Sequence, residues 1–311
     1  LHRMSDGMPE RTGFLRRAAA SALEVSGRLE AALSLSESDQ AVSIDLDDQG
    51  QGVIFSEPLR VERKLASLFD ARAVLMLSDT LSVGGRFDAV RLELGVPETA
   101  RELVIPHPRN ERARLLLVVP ESLPDPNERS WPASVASRFL DVLRLTEGAA
   151  VGCFASEAVM ANIRDLARSL LLRLPTGRTS GDLIELRLEP SISSDSDPNM
   201  SRSGSGPARW ACVFLDRLPF ESPEMPLHHL ERELEPHWFP RYALPRAVRS
   251  FRRAARHLLN SEARHAVMIV CDKRILSRSY ARLFTEALPG VTISRSMLDV
   301  VPFLTGKERS R

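Results

Sequence analysis

One face of a predicted helix near the carboxyl end of the chain carries a row of arginines. Spaced at i, i+3, i+4 and i+7, they are Arg249, Arg252, Arg253 and Arg256. This spacing places side chains on one side of an α-helix. The charge and planar shape of guanidinium groups suit the phosphates and bases of single-stranded DNA. The row is also typical of a solvated helix face or of one that pairs with glutamates, and the candidates here are Glu231, Glu233 and Glu235.

Asp272 and Arg274 directly follow an apolar run, 266–271, that is typical of a buried strand. Ligands of α/β proteins bind beyond the carboxyl ends of the strands, so this pair is a candidate for lining a nucleotide cleft. A carboxylate and a guanidinium two residues apart also predict an ion pair or a cap at the strand end. Both interpretations stay open.

The histidines and cysteines do not predict a metal centre. Three histidines, His228, His229 and His237, lie in one proline-rich stretch, but they lack a metal-ligand spacing. The three cysteines are far apart, and each lies inside an apolar run: Cys153, Cys212 and Cys271. We expect them to be buried thiols of a protein in a reducing cytoplasm.

A phosphate-binding loop of the G-x-x-x-x-G-K-[ST] type is absent from these 311 residues. The only Gly-Lys pair, Gly306-Lys307, is followed by Glu308. We therefore expect no cofactor to be held by this sequence alone.

Hydrophobic periodicity predicts alternating helices and strands. The predicted helices are 10–35, 59–69, 133–145, 157–172, 245–259 and 277–287. The predicted strands are 42–44, 53–55, 73–77, 102–105, 115–119, 149–154, 210–215, 266–271 and 291–293. Such alternation favours an α/β fold with a mostly parallel sheet and helices on both faces. The segment 191–206 is rich in Ser, Asp, Pro and Gly and predicts a flexible loop.

Composition is that of an ordinary globular protein, with 43% hydrophobic and 27% charged residues. The net charge of +1 creates no overall field that would attract nucleic acid, so any basic surface must be local. No apolar run approaches the roughly 20 residues of a membrane helix, so we expect no membrane partner and a cytoplasmic location.

Several groups of residues stand in a fixed order along the last third of the chain. They are LPFESPEMP at 218–226, YALPRA at 242–247, DKR at 272–274, and Tyr280 followed by Leu288-Pro289. This order resembles the second motor domain of the DinG/XPD family of superfamily 2 DNA helicases. Weaker matches extend the resemblance over about 56–289: LSDTLS at 77–82 with GGRF at 84–87, VVPESLPDP at 118–126, and FAS at 154–156. The resemblance implies a RecA-like fold, ATP and Mg²⁺ as family cofactors, and single-stranded DNA as partner.

The residues that such a domain contributes to ATP hydrolysis are replaced here. The family pattern Q-x-x-G-R-x-x-R falls on 253–260, where Arg253 replaces the glutamine and Arg256 the glycine. His257 and Asn260 replace the two arginines. A histidine is mostly neutral at pH 7 and lacks the fixed forked charge of arginine. The family's acidic, glycine-rich segment falls on 199–207, inside the serine-rich loop, and Asp79 stands where the family has alanine.

These observations predict a helical lead-in over 1–40, a RecA-like domain over 41–305 and a tail over 306–311. The predicted function is a catalytically degenerate, nucleic-acid-binding or accessory module of a DNA-repair helicase type. Two alternatives stay open: a subunit of a split helicase whose first motor domain comes from a separate protein, and a pseudoenzyme remnant without a DNA role.

Overall fold

The computed structural model describes residues 9–33, 40–46, 51–71, 73–105, 114–146, 150–155, 159–161, 163, 165, 184–188, 212–222, 225–259, 265–288 and 290–307. The strands are β1 (Gln40–Leu46), β2 (Gly52–Pro58), β3 (Arg114–Val118), β4 (Ala150–Phe154), β5 (Ile184–Leu188), β6 (Cys212–Leu215), β7 (His265–Val270) and β8 (Val291–Ser294). The helices are α1 (Pro9–Leu33), α2 (Val61–Ala71), α3 (Asp88–Leu94), α4 (Trp131–Leu145), α5 (Pro226–Leu234), α6 (Leu244–Leu259), α7 (Arg274–Ser277), α8 (Ala281–Glu286) and α9 (Val300–Leu304). A short π-helix, Phe239–Ala243, leads into α6.

Six strands form a sheet in the order β5-β4-β6-β7-β3-β8, and every neighbouring pair is parallel. The central strands are continuous apolar runs because both faces of a parallel sheet are covered. In β3, for example, Leu115 and Leu117 belong to one core, whereas Leu116 and Val118 belong to the other. The predicted α/β class with helices on both faces is confirmed.

Different helices cover the two faces of the sheet. The buried face of α6 packs on one side together with Ile275 of α7 and Phe284 of α8. On the other side, α4 and α9 pack against the sheet, and Phe139 of α4 contacts the rings of Phe154 and Phe214. A Cβ at Gly152 would lie 2.6 Å from the Phe154 ring and 2.8 Å from Phe139, so this aromatic cluster requires glycine in β4.

The chain divides into two compact units. The larger one, Leu75–Arg91, Pro97–Glu221 and Phe239–Arg311, contains the six-stranded sheet. The smaller one consists of Leu1–Val74, Leu92–Val96 and Ser222–Trp238, and in it β1 and β2 form an antiparallel hairpin. The predicted boundary at residues 40–41 adjoins positions outside the described residues, and it stays a prediction like the boundary at 305.

Two predicted strands are wrong. Residues 73–77 and 102–105 pair with no strand among the described residues, and Leu75, Leu77 and Leu103 are each about four-fifths exposed. Both sides of β3 are already occupied, by β7 and β8, so neither segment can pair there. The predicted helix 277–287 is confined to α8, and the separate short helix α7 ends at Ser277, where the predicted helix begins.

Four of the described strands and α-helices lie where none is predicted, and one of them is the short helix α3. The strand β5 reads Ile-Glu-Leu-Arg-Leu, whose charged positions weaken its apolar signal. Helix α5 lies inside the proline-rich stretch 219–240 and begins at Pro226, since proline is tolerated in the first turn of a helix. Helix α9 covers the second core near the carboxyl end. The predicted loop 191–206 lies outside the described residues.

The three cysteines are free and buried, as expected. Burial raises the pKa of the Cys212 and Cys271 thiols, so both side chains behave as small apolar groups. No described helix has the length and apolar character needed to cross a membrane.

Candidate functional site

The arginine row lies on α6, opposite the side of that helix that packs into the core. The core side consists of small and aromatic residues, among them Ala247, Phe251 and Ala254. Arg249, Arg252 and Arg253 are only partly buried. The side chains of Arg256 and His257, and the whole of Asn260, lie outside the described residues.

Two of these arginines line a cleft. Arg249 and Arg252 form one wall of a cavity of about 220 Å³. Gly84 and Gly85 also line it, as does Glu286 of α8. The Glu286 carboxylate is 2.5 Å from the guanidinium of Arg282, so an arginine outside the cleft compensates its charge.

The glycine pair forms a tight turn. Val83 and Arg86 exchange two backbone hydrogen bonds of 2.9 and 3.1 Å, and both central glycines have positive φ, +58° and +75°. Two consecutive residues with positive φ favour glycine at both positions. The GGRF letters are part of the family resemblance, but the sequence gives no sign that this turn meets α6.

Asp272 and Arg274 form a charge-assisted pair at the end of β7. The Arg274 guanidinium lies 2.6 Å from the Asp272 carboxylate, whose side chain has no exposed surface. The same carboxylate accepts hydrogen bonds at 3.0 Å from the backbone N–H groups of Leu218 and Arg274. Burial alone would raise the pKa of Asp272, but the hydrogen bonds and charge of Arg274 outweigh it and lower the pKa. The arrangement is that of a strand-end ion pair, the second of the two interpretations above.

A second buried carboxylate, Asp216, lies at the end of β6, and sequence reasoning missed it. It accepts a hydrogen bond of 3.2 Å from the N–H of Ala155, and the Nε of Arg217 lies 3.7 Å away. The Arg217 guanidinium covers the ring of buried Trp131 at 4.3 Å. Burial raises the pKa of Asp216 to about 6, partly offset by the charge of Arg217.

This raised pKa predicts a stability that falls with rising pH. The folded carboxyl keeps its proton up to about pH 6, whereas an unperturbed aspartate has a pKa of 3.8. Its contribution is therefore present below about pH 4 and is lost as the pH rises through 6. We expect a loss of about 3 kcal/mol across this range.

Asp216→Asn should remove this contribution, since asparagine keeps an acceptor without the charge. Denaturant unfolding of the wild-type protein and the variant at pH 4 and pH 7 measures how the free energy of unfolding changes with pH in each. The difference between the two changes is the contribution of Asp216, because titrating groups that both proteins share, such as Asp272, largely cancel. Parallel pH curves for the two proteins would contradict the assignment.

The contacts of His228 and His229 are those of residues that stabilise the fold. His228 is buried with its Nδ1 3.0 Å from the carbonyl oxygen of Ser222, and His229 pairs with Glu233. Within the described residues, no group of three His, Cys, Asp or Glu side chains is arranged to hold a metal ion. Asp79 is exposed, so its charge requires no buried partner.

The chain is similar in sequence to several proteins that are named as helicases. No protein-family model matches the chain. It is 29% identical over 264 residues to the ATP-dependent DNA helicase YoaA of Haemophilus influenzae, covering 80% of this chain and 41% of that protein. It is 27% identical over 282 residues to the 3'-5' exonuclease DinG of Bacillus subtilis, covering 83% and 30%. The ATP-dependent helicase DinG of Mycobacterium tuberculosis is 25% identical over 262 residues, covering 79% and 39%.

A solved XPD helicase has the same fold. It aligns with 79% of this chain and 47% of its own, with a TM-score of 0.55 at 11% identity. The chain carries a helicase-like domain of the DinG/XPD family. The resemblance read from the sequence is thereby confirmed, as is the RecA-like fold. This helicase-like chain spans less than half the length of each of these relatives.

Proposed function

We propose that this chain is a nucleic-acid-binding accessory module of the DinG/XPD type that does not itself hydrolyse ATP. The observation that carries the proposal is the position of Arg249 and Arg252, which project from α6 into an open cleft rather than into the core. Guanidinium groups in such a position neutralise the phosphates of a single strand and release its counterions. The relative from Haemophilus influenzae is named an ATP-dependent DNA helicase, and that name supports the same partner.

The residues at the carboxyl end of the sheet do not fit ATP and Mg²⁺. Magnesium is bound through exposed carboxylates that leave it several waters, whereas Asp216 and Asp272 are each only 1% exposed. Arg274 already donates to Asp272 through its Nε and through a terminal nitrogen. The replacements at His257 and Asn260 remove the arginine charges that speed phosphate cleavage by roughly 10³–10⁵ in related enzymes.

A cytoplasmic location and a role in DNA repair belong to the same proposal. They rest on the resemblance and on the helicase names of two of the relatives.

The test is fluorescence anisotropy of a labelled oligothymidylate with the purified chain over a salt series. We expect binding at low salt that weakens with a log–log slope of roughly −2, since each phosphate neutralised on a single strand contributes about −0.7. Absence of binding at low salt would contradict the proposal. The same preparation should show no DNA-stimulated release of phosphate from ATP, and a clear rate from the chain alone would contradict the accessory role.

The split-helicase alternative makes a different prediction from the same assay. ATP hydrolysis would then appear only after addition of a separate protein that supplies a phosphate-binding loop and the acidic residues that bind Mg²⁺. A remnant without a DNA role would show neither binding nor hydrolysis.

A further inference from the structure

We propose that the Gly84–Gly85 turn, together with Arg249 and Arg252, forms a seat for one backbone phosphate of a single nucleic-acid strand. The inference rests on the proposed function, because it names the point at which the strand is held. It concerns the sugar–phosphate backbone and not a base.

The turn offers backbone donors beside the two positive charges. Val83 and Arg86 close the turn through their own N–H and carbonyl groups. The N–H groups of Gly84 and Gly85 donate no hydrogen bond to any other residue that the structure describes. Both glycines line the same cleft as Arg249 and Arg252. Backbone N–H groups combined with arginine make up a common donor set for phosphate oxygens.

The two glycines differ in their surroundings. A Cβ at Gly84 would lie 3.2 Å from Cδ2 of Leu283, so this glycine packs against α8. A Cβ at Gly85 would meet nothing within 4 Å. The turn accounts for the positive φ of Gly85. No neighbouring atom fills the space where its side chain would be, so a ligand can approach the backbone closely at this point.

Size and charge of the cleft favour a phosphate over a base. Its volume of about 220 Å³ is below the roughly 300–1,000 Å³ of pockets that enclose whole small molecules. Two arginines and a single carboxylate line the cleft, and that carboxylate, Glu286, is itself paired with Arg282. One phosphate group of a nucleic-acid strand that continues outside the cleft fits this volume and charge.

Anisotropy with a labelled oligothymidylate tests the seat through variants on both of its walls. We expect Arg249→Ala combined with Arg252→Ala to weaken binding about tenfold, and to make the salt slope shallower by roughly 0.7 for each phosphate that is no longer neutralised. Gly85→Asn keeps a residue that tolerates positive φ but puts a side chain into the open space, and we expect a similar decrease in affinity. Glu286→Gln should act in the opposite direction and tighten binding.

Arg144→Ala is the matched control, since it removes one exposed arginine from α4 on the other face of the sheet. We expect it to leave the affinity unchanged. Melting curves followed by circular dichroism check that each variant is folded. An oligothymidylate with a neutral methylphosphonate backbone should compete at least tenfold more weakly than the natural strand, because it carries no phosphate charge.

The outcomes separate the seat from the proposed function. Weaker binding by both wall variants, with Arg144→Ala unchanged, supports the seat. Wild-type binding that the folded wall variants leave intact overturns the seat and leaves the proposed function standing. Equal competition by the neutral strand also overturns the phosphate assignment. Absence of wild-type binding overturns both.

Discussion

Replacing Asp272 with alanine is expected to lower the free energy of unfolding by about 3–5 kcal/mol, the usual cost of removing one partner of a buried ion pair. The carboxylate is fully buried and holds three elements together. It accepts from the Leu218 amide after β6 and from the amide and guanidinium of Arg274 at the start of α7. Its removal leaves a half-buried guanidinium and a buried amide without their acceptor.

Denaturant unfolding of the purified chain at pH 7, followed by circular dichroism, measures this decrease in stability. Asp141→Ala is the control, because Asp141 pairs with Arg144 on the exposed side of α4 and such pairs contribute about 0–1 kcal/mol. A decrease below about 1 kcal/mol for Asp272→Ala would show that the pair does not hold the strand ends.

The second large effect is expected at the core side of α6. Phe251→Ala should cost about 3–5 kcal/mol, since it removes a fully buried ring and leaves a cavity. Phe251 has no exposed surface and meets the ring of Phe284 edge to face, with centroids 5.3 Å apart. Phe251 lies on the core side of α6, whereas Arg249 and Arg252 of the same helix line the cleft.

The same unfolding experiment measures the effect of Phe251→Ala. Phe55→Ala is the control, because Phe55 lies on β2 with 48% of its surface exposed. We expect Phe55→Ala to lower the free energy of unfolding by less than half as much as Phe251→Ala, because the Phe55 ring buries less apolar surface. Equal decreases for the two variants would mean that the packing of α6 against α8 contributes little.

Strands buried on both faces were predictable because their signal is local. The predicted strands that correspond to β3, β4, β6 and β7 are apolar over almost their whole length. The observed bounds of each strand lie within about two residues of the predicted ones. The segment 73–77 is equally apolar and 102–105 is apolar after Glu102, yet the large apolar side chains of both segments are mostly exposed. Strand formation needs a partner edge, and the availability of that edge is a property of the whole sheet that no local window contains.

The candidate site divides in the same way. A helical period of 3.6 residues was enough to put the arginines on one face of α6 and Phe251 on the other. The order of short motifs was enough to indicate the DinG/XPD family and the replaced catalytic positions. These features follow from the sequence because each depends on residues close together in the chain.

Only the tertiary structure decided what stands opposite those residues. The Gly84–Gly85 turn is more than 160 positions from Arg249, and the fold brings them to one cleft. Asp272 became the acceptor for Leu218, and Asp216 for Ala155, because parallel strands end side by side at one edge of the sheet. Long-range contacts of this kind depend on how the sheet and its helices pack, so they stay undetermined until the fold itself is known.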